Sequence, residues 1–97
     1  MIPMKAKAIL LGRMKEVFAG GVIEGVIWQV PDPVQPSEHL IKYWLVYVVA
    51  GVRVVGYDNE RGKGDHKHLG KTEVAYQFKD VATLLRDFMA EVKGVAK

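Results

Sequence analysis

The chain has 97 residues, of which 14 are basic and 11 acidic, giving a formal charge of +3. That length supports one domain, residues 1–97, and an apolar share of 49% excludes a disordered chain. The absence of cysteine excludes disulfides, thiolate metal sites and thiol nucleophiles.

No segment reaches the roughly 20 apolar residues that a bilayer span requires. The opening Met1-Ile2-Pro3-Met4-Lys5-Ala6-Lys7 has no long apolar run behind its charges, so it does not read as a secretory leader. The expected setting is the cytoplasm. The charge is unevenly spread. Lys5, Lys7, Arg13 and Lys15 outnumber Glu16 and Glu24 over residues 1–30, whereas Arg61, Lys63, Lys67 and Lys71 balance Asp58, Glu60, Asp65 and Glu73 over residues 58–73. A plain basic clamp for RNA would not be neutral there.

Lys5 to Val17 reads as a first strand, with helix as the competing reading. Strict alternation puts Ile9, Leu11, Val17 and the basic residues on one face and Ala6, Ala8, Leu10 and Met14 on the other. Ala19-Gly20-Gly21 is a turn signal. Val22 to Val30 is a second strand, stopped by Pro31-Asp32-Pro33, and residues 31–38 read as a stiff exposed loop. His39 to Val49 is the third strand and is apolar on both faces: Leu40, Trp44, Val46 and Val48 on one, Ile41, Tyr43, Leu45, Tyr47 and Val49 on the other. Its second face therefore asks for cover from a partner or from a second copy in a homodimer. Ala50-Gly51 is a tight hairpin, and Val52 to Tyr57 returns as the fourth strand. Glu73 to Phe78 alternates as a short fifth. Asp80 is an N-cap, Val81, Leu84, Leu85, Phe88, Met89 and Val92 form a helical stripe, and Gly94 is the expected end of the helix. The fold class is α+β: an antiparallel meander of four to five strands with one C-terminal helix packed on one face.

Between the fourth and fifth strands lies the polar stretch Tyr57 to Gly70, read as a loop. Gly62-Lys63-Gly64 lacks the spacing and following Ser or Thr of a phosphate-binding loop. His66 and His68 are two apart. In extended backbone they point the same way, roughly 7 Å apart along the chain. Two imidazoles so placed could flank one phosphodiester, one taking the 2′-hydroxyl proton and the other protonating the leaving oxygen. Arg61, Lys63 and Lys67 could stabilise the phosphorane, Asp65 could fix a histidine tautomer and Tyr57 could donate a hydrogen bond. The plainest competing reading is a solvated hairpin tip with weak ion pairs. A third is a divalent ion held by Asp58, Asp65, His66 and His68. His39 reads as a surface residue. Trp28, Tyr43, Trp44 and Tyr47 read first as core aromatics and second as base-stacking platforms.

The run Val55-Gly56-Tyr57-Asp58-Asn59-Glu60-Arg61-Gly62-Lys63-Gly64-Asp65-His66-Lys67-His68 resembles the TumE-type toxins of bacterial and archaeal toxin–antitoxin modules, with their Gly-Tyr-Asp-Asn, Lys-Gly-Asp-His and terminal-His signature. Val26-Ile27-Trp28-Gln29-Val30-Pro31, Lys42-Tyr43 and Tyr76-Gln77-Phe78 fit the same pattern, so the likeness covers nearly the whole chain. The resemblance implies a type II toxin with a separately encoded antitoxin, often a helix-turn-helix protein. Tyr57, Asp58, Asn59, Lys63, Gly64, Asp65, His66 and His68 match the signature.

Two functions from different classes are expected. The first is a metal-independent endoribonuclease with no cofactor, its catalytic residues His66, His68, Arg61, Lys63, Asp65 and Tyr57, its RNA-binding residues Lys67, Asn59, Gly62 and Gly64. The second is a non-catalytic module or regulator whose glycine-rich segment contacts a protein or nucleic acid.

Overall fold

The computed structural model describes residues 7–96. Lys5 and Ala6, which the sequence reading includes in the first strand, and most of the opening segment read for a leader lie outside the described residues. Six antiparallel strands form one sheet in chain order: β1 (Ile9–Phe18), β2 (Gly21–Gln29), β3 (Ile41–Val49), β4 (Val52–Glu60), β5 (Gly64–Leu69) and β6 (Thr72–Ala75). One helix, α1 (Val81–Val95), packs against β3 and β4. Among the described residues, no helix is long and apolar enough to cross a membrane.

The α+β meander is as expected, but it has six strands rather than four to five. The extra strand is β5, from the polar stretch read as a loop. Periodicity hid it because both of its faces are polar, so no apolar alternation marks it. β4 also runs three residues past Tyr57, and Arg61-Gly62-Lys63 makes the turn. β3 starts at Ile41 rather than His39, and β6 ends before Tyr76.

The hairpin turns Ala19-Gly20 and Ala50-Gly51 each have two residues with positive φ (47° and 79°; 50° and 78°). That twist suits the strands they join, and the glycine accepts it without steric cost. Two bulges redirect side chains. In β1, Leu10 pairs with Trp28 and Gly12 with Ile27, so Leu11 is the extra residue. It reverses the faces of the residues before it, which strict alternation does not foresee. In β4, Tyr47 pairs with Val55 and Val48 with Arg53, so Val54 is extra. Arg53 is thereby turned to the face opposite Val55.

The core lies on one side of the sheet. Ile23, Ile27, Tyr43, Leu45, Tyr47, Val55 and Tyr57 meet Leu84, Phe88 and Val92 of the helix. Tyr47 donates to the carbonyls of Phe18 and Ala19, so its hydroxyl is satisfied at the end of the core. Asp80 caps α1 by accepting the Thr83 N–H at 2.7 Å. Gly94 does not stop the helix, which runs to Val95 with Ala96 as C-cap. The other sheet face has no helix over it, and Trp44 there is 40% exposed. The cover expected from a partner would lie on this open face.

Two substitutions test this packing. Phe88→Ala empties a fully buried ring site and is expected to cost about 3–5 kcal/mol. Asp80→Ala removes the N-cap and is expected to lower the unfolding midpoint by less than Phe88→Ala does. Urea unfolding followed by circular dichroism measures both.

Candidate active site on the helix-free face

Strand register decides what the polar hairpin presents. Asp58 pairs with His66, Gly56 with His68 and His68 with Glu73 across β4, β5 and β6. These residues share the open face. His66 and His68 do point the same way, with ring centroids 4.9 Å apart and planes near perpendicular. His66 Nε2 stands 2.7 Å from Asp58 Oδ1 and 3.7 Å from Glu73 Oε1. His68 Nδ1 lies 4.0 Å from Glu73 Oε2, and Lys63 Nζ lies 3.6 Å from Glu73 Oε1. Arg53, delivered by the Val54 bulge, lies across Gly56, where an added Cβ would meet its Cδ at 3.0 Å.

The centre is graded in depth. Asp58 and His66 are buried, at 6% and 4% exposure, His68 is half-buried and Glu73 is exposed. Burial pushes the Asp58 carboxyl above the usual carboxylate range, His66 opposes that shift and Glu60 adds to it. Burial and then the Arg53 charge push His68 below the ordinary imidazole value, opposed by Glu73. The His66 Nδ1 is 2.9 Å from the Gly64 carbonyl oxygen. A carbonyl only accepts, so Nδ1 carries a proton there. A donor atom from each of Asp58, His66 and His68 lies within 4.8 Å of the others.

Asp65, Asn59, Tyr57 and Lys67 lie on the other side of the sheet, and Arg61 and Gly62 lie in the turn. Asp65 does not touch His66 or His68. It accepts hydrogen bonds from Ser37 Oγ, Tyr43 Oη (2.7 Å) and His39 Nε2 (2.7 Å). His39 is therefore no isolated surface residue: its Nδ1 accepts the Ile41 N–H and its ring stacks on Phe78 at 3.9 Å. Asn59 accepts the Tyr43 N–H at 2.9 Å and donates to the Ile41 carbonyl at 2.8 Å. Together Asn59 and Asp65 tie the 31–40 segment to the sheet, so the stiff loop expected over residues 31–38 is anchored, with Val34 and Ser37 buried rather than exposed. Tyr57 is core, packed edge-on to Tyr76 and Phe88. Lys67 pairs with Glu91 of α1 at 3.0 Å. Arg61 is exposed beside Asp32 and Lys42, and the Gly62 N–H donates to the Gln35 carbonyl at 2.7 Å. Gly64 contributes its carbonyl to His66.

Glu73 and Arg53 were not among the predicted site residues. Glu73 is found only through the β5–β6 register, and Arg53 only through the bulge. On the same face, Trp44 pairs with Asp58, and a groove of about 450 Å³ runs from Trp44 past Trp28, Arg13 and Lys15. Tyr43 and Tyr47, by contrast, belong to the core.

If Asn59 and Asp65 are anchors, Asn59→Ala and Asp65→Asn should each lower stability by about 1–3 kcal/mol, because buried partners are left unsatisfied. Thermal unfolding measures this, and an unchanged midpoint for both would remove the anchoring role.

No curated protein and no solved structure matches this chain. The sequence model of one protein family, described as Toxin TumE, matches residues 5–96. That span includes every residue of the polar centre and of the sheet that carries it, and the chain belongs to the TumE toxin family.

Proposed function

We propose that this chain is the toxin of a type II toxin–antitoxin pair and that it cuts RNA at the polar centre of the helix-free face. Membership of a toxin family implies an antitoxin partner, which we take to be a separately encoded helix-turn-helix protein. The observation that carries the cutting reaction is the convergence of Asp58, His66, His68 and Glu73 at one point of an uncovered face.

Transfer of a phosphoryl group to the neighbouring 2′-hydroxyl needs three things: a proton acceptor, a donor for the leaving oxygen and positive charge near the phosphoryl oxygens. Glu73 and His68 stand at the mouth, where they can exchange protons with a bound strand. Arg53 and Lys63 supply positive charge beside them. Asp58 and His66 form the buried floor. Trp28 and Trp44 offer flat surfaces for bases along the adjoining groove, with Arg13 and Lys15 for phosphates. The same exposed Trp44 and groove favour a second reading, in which this face holds a partner without turnover.

Expression of the chain should arrest growth and degrade RNA. Asp58→Asn, His68→Ala and Glu73→Gln should each lower the cleavage rate by about 100-fold or more, whereas Lys67→Ala, on the opposite face, should leave it within about 3-fold. Trp44→Ala should weaken RNA binding by about 1–3 kcal/mol with little change in the rate of bound substrate. A folded chain that binds RNA and leaves it intact supports the second reading and rejects the first.

A further inference from the structure

Among the described residues, Asp58 Oδ1 is the one buried side-chain oxygen or nitrogen with no hydrogen-bond partner. A buried carboxylate oxygen is costly unless something compensates it. His66 Nε2 stands 2.7 Å away, yet the contact is not aligned as a hydrogen bond. The other ring nitrogen is committed to the Gly64 carbonyl, so Nε2 is the nitrogen that faces Asp58 and can act as a ligand. A cation held between this nitrogen and the carboxylate oxygen would compensate the buried oxygen. A proton would lie along an aligned hydrogen bond. A cation bound by both atoms needs no such alignment.

We propose that Asp58, His66 and His68 hold one divalent first-row transition cation, of the zinc or manganese class, on the helix-free face. Three features of the site fit this occupant. The donor set is two imidazoles and one carboxylate with no thiolate, which suits these ions rather than magnesium or calcium, whose ligands are oxygens. The Nδ1–H of His66 is held by a backbone carbonyl, the outer contact that orients metal-binding imidazoles. The mouth is open at Glu73, so water or a phosphoryl oxygen can complete the coordination. Donor atoms bound at roughly 2.1 Å to one ion stand roughly 3.0–3.4 Å apart. The His66–Asp58 pair, at 2.7 Å, has to open by a few tenths of an ångström to admit the ion, and a small turn of the His68 ring within the 4.8 Å cluster brings in the third. Arg53 and Lys63 oppose a cation, but Asp58, Glu60 and Glu73 outnumber them.

This site deepens the RNA-cutting reading without depending on it. With the ion bound, His68 is a ligand, and Glu73 is left as the proton-exchanging group at the mouth. The metal-free mechanism expected from the paired imidazoles is then replaced.

The test is metal uptake by the purified full-length chain after dialysis against a chelator. Zinc, manganese, cobalt(II) and, as a control, magnesium are titrated by calorimetry, with cobalt followed also by visible absorption. The expected result is one transition ion per chain, with no magnesium uptake under the same conditions. Asp58→Asn, His66→Gln and His68→Ala should each weaken uptake by about tenfold or more, and Glu73→Gln should bind as wild type does. Circular dichroism establishes that each variant is folded. A folded wild-type chain that takes up none of the transition ions overturns the site, as does uptake unaffected by Asp58→Asn and His66→Gln together. Glu73→Gln separates the two proposals. Uptake by wild type and Glu73→Gln with no RNA cleavage by wild type keeps the metal site and rejects the nuclease. RNA cleavage by a wild-type chain that takes up none of the ions keeps the nuclease and rejects the metal site.

Discussion

The pairing of β4 with β5 is the constraint on which the molecule depends. Its register sets Asp58 opposite His66 and Asn59 opposite Asp65. Because side chains alternate across a strand, this one register sends the first pair to the open face and the second to the helix side. A slip of one residue would exchange them. It would bury the imidazoles against α1 and expose the anchors of the 31–40 segment. The turn at Arg61-Gly62-Lys63 and the Gly62 N–H bond to Gln35 fix the hairpin against that slip.

The two sides of this hairpin treat their buried polar groups differently. On the covered side every donor and acceptor of Asn59 and Asp65 that is hidden from water is met: Asn59 bridges β3, and Asp65 gathers Ser37, His39 and Tyr43. Satisfied networks of this kind make one arrangement of the segment far better than any other. On the open side Asp58 Oδ1 is buried and makes no aligned hydrogen bond, with His66 Nε2 2.7 Å away. Folding alone gives little reason to keep a buried carboxylate there, since an apolar residue would fit a strand at lower cost. The departure from consistency falls where function is expected to override stability.

Much of this was legible in the sequence. The apolar alternation of β2 and β3, the Ala-Gly turns, the Asp80 cap and the stripe from Val81 to Val92 all come from local rules, and each has its counterpart in the structure. The same face for His66 and His68 follows from their spacing once the backbone is extended. Three things escaped. β5 has polar residues on both faces, so nothing in its periodicity marks it as a strand. The Val54 bulge that turns Arg53 toward Gly56 leaves no local signature. Parity alone also cannot say which of Asp58, Asp65, Tyr57 and Lys67 join the histidines, because that depends on the pairing across strands. The signature residues cluster in the chain, but the sheet divides them between an open polar face and an anchoring face.

The most direct test of the account is diffraction from crystals of the chain grown with zinc, with data collected on both sides of the zinc absorption edge. The account predicts one anomalous peak on the helix-free face, about 2.0–2.2 Å from His66 Nε2 and from an Asp58 carboxylate oxygen, with His68 completing the protein ligands. A map with no peak there, and His66 Nε2 donating an aligned hydrogen bond to Asp58 instead, would contradict it.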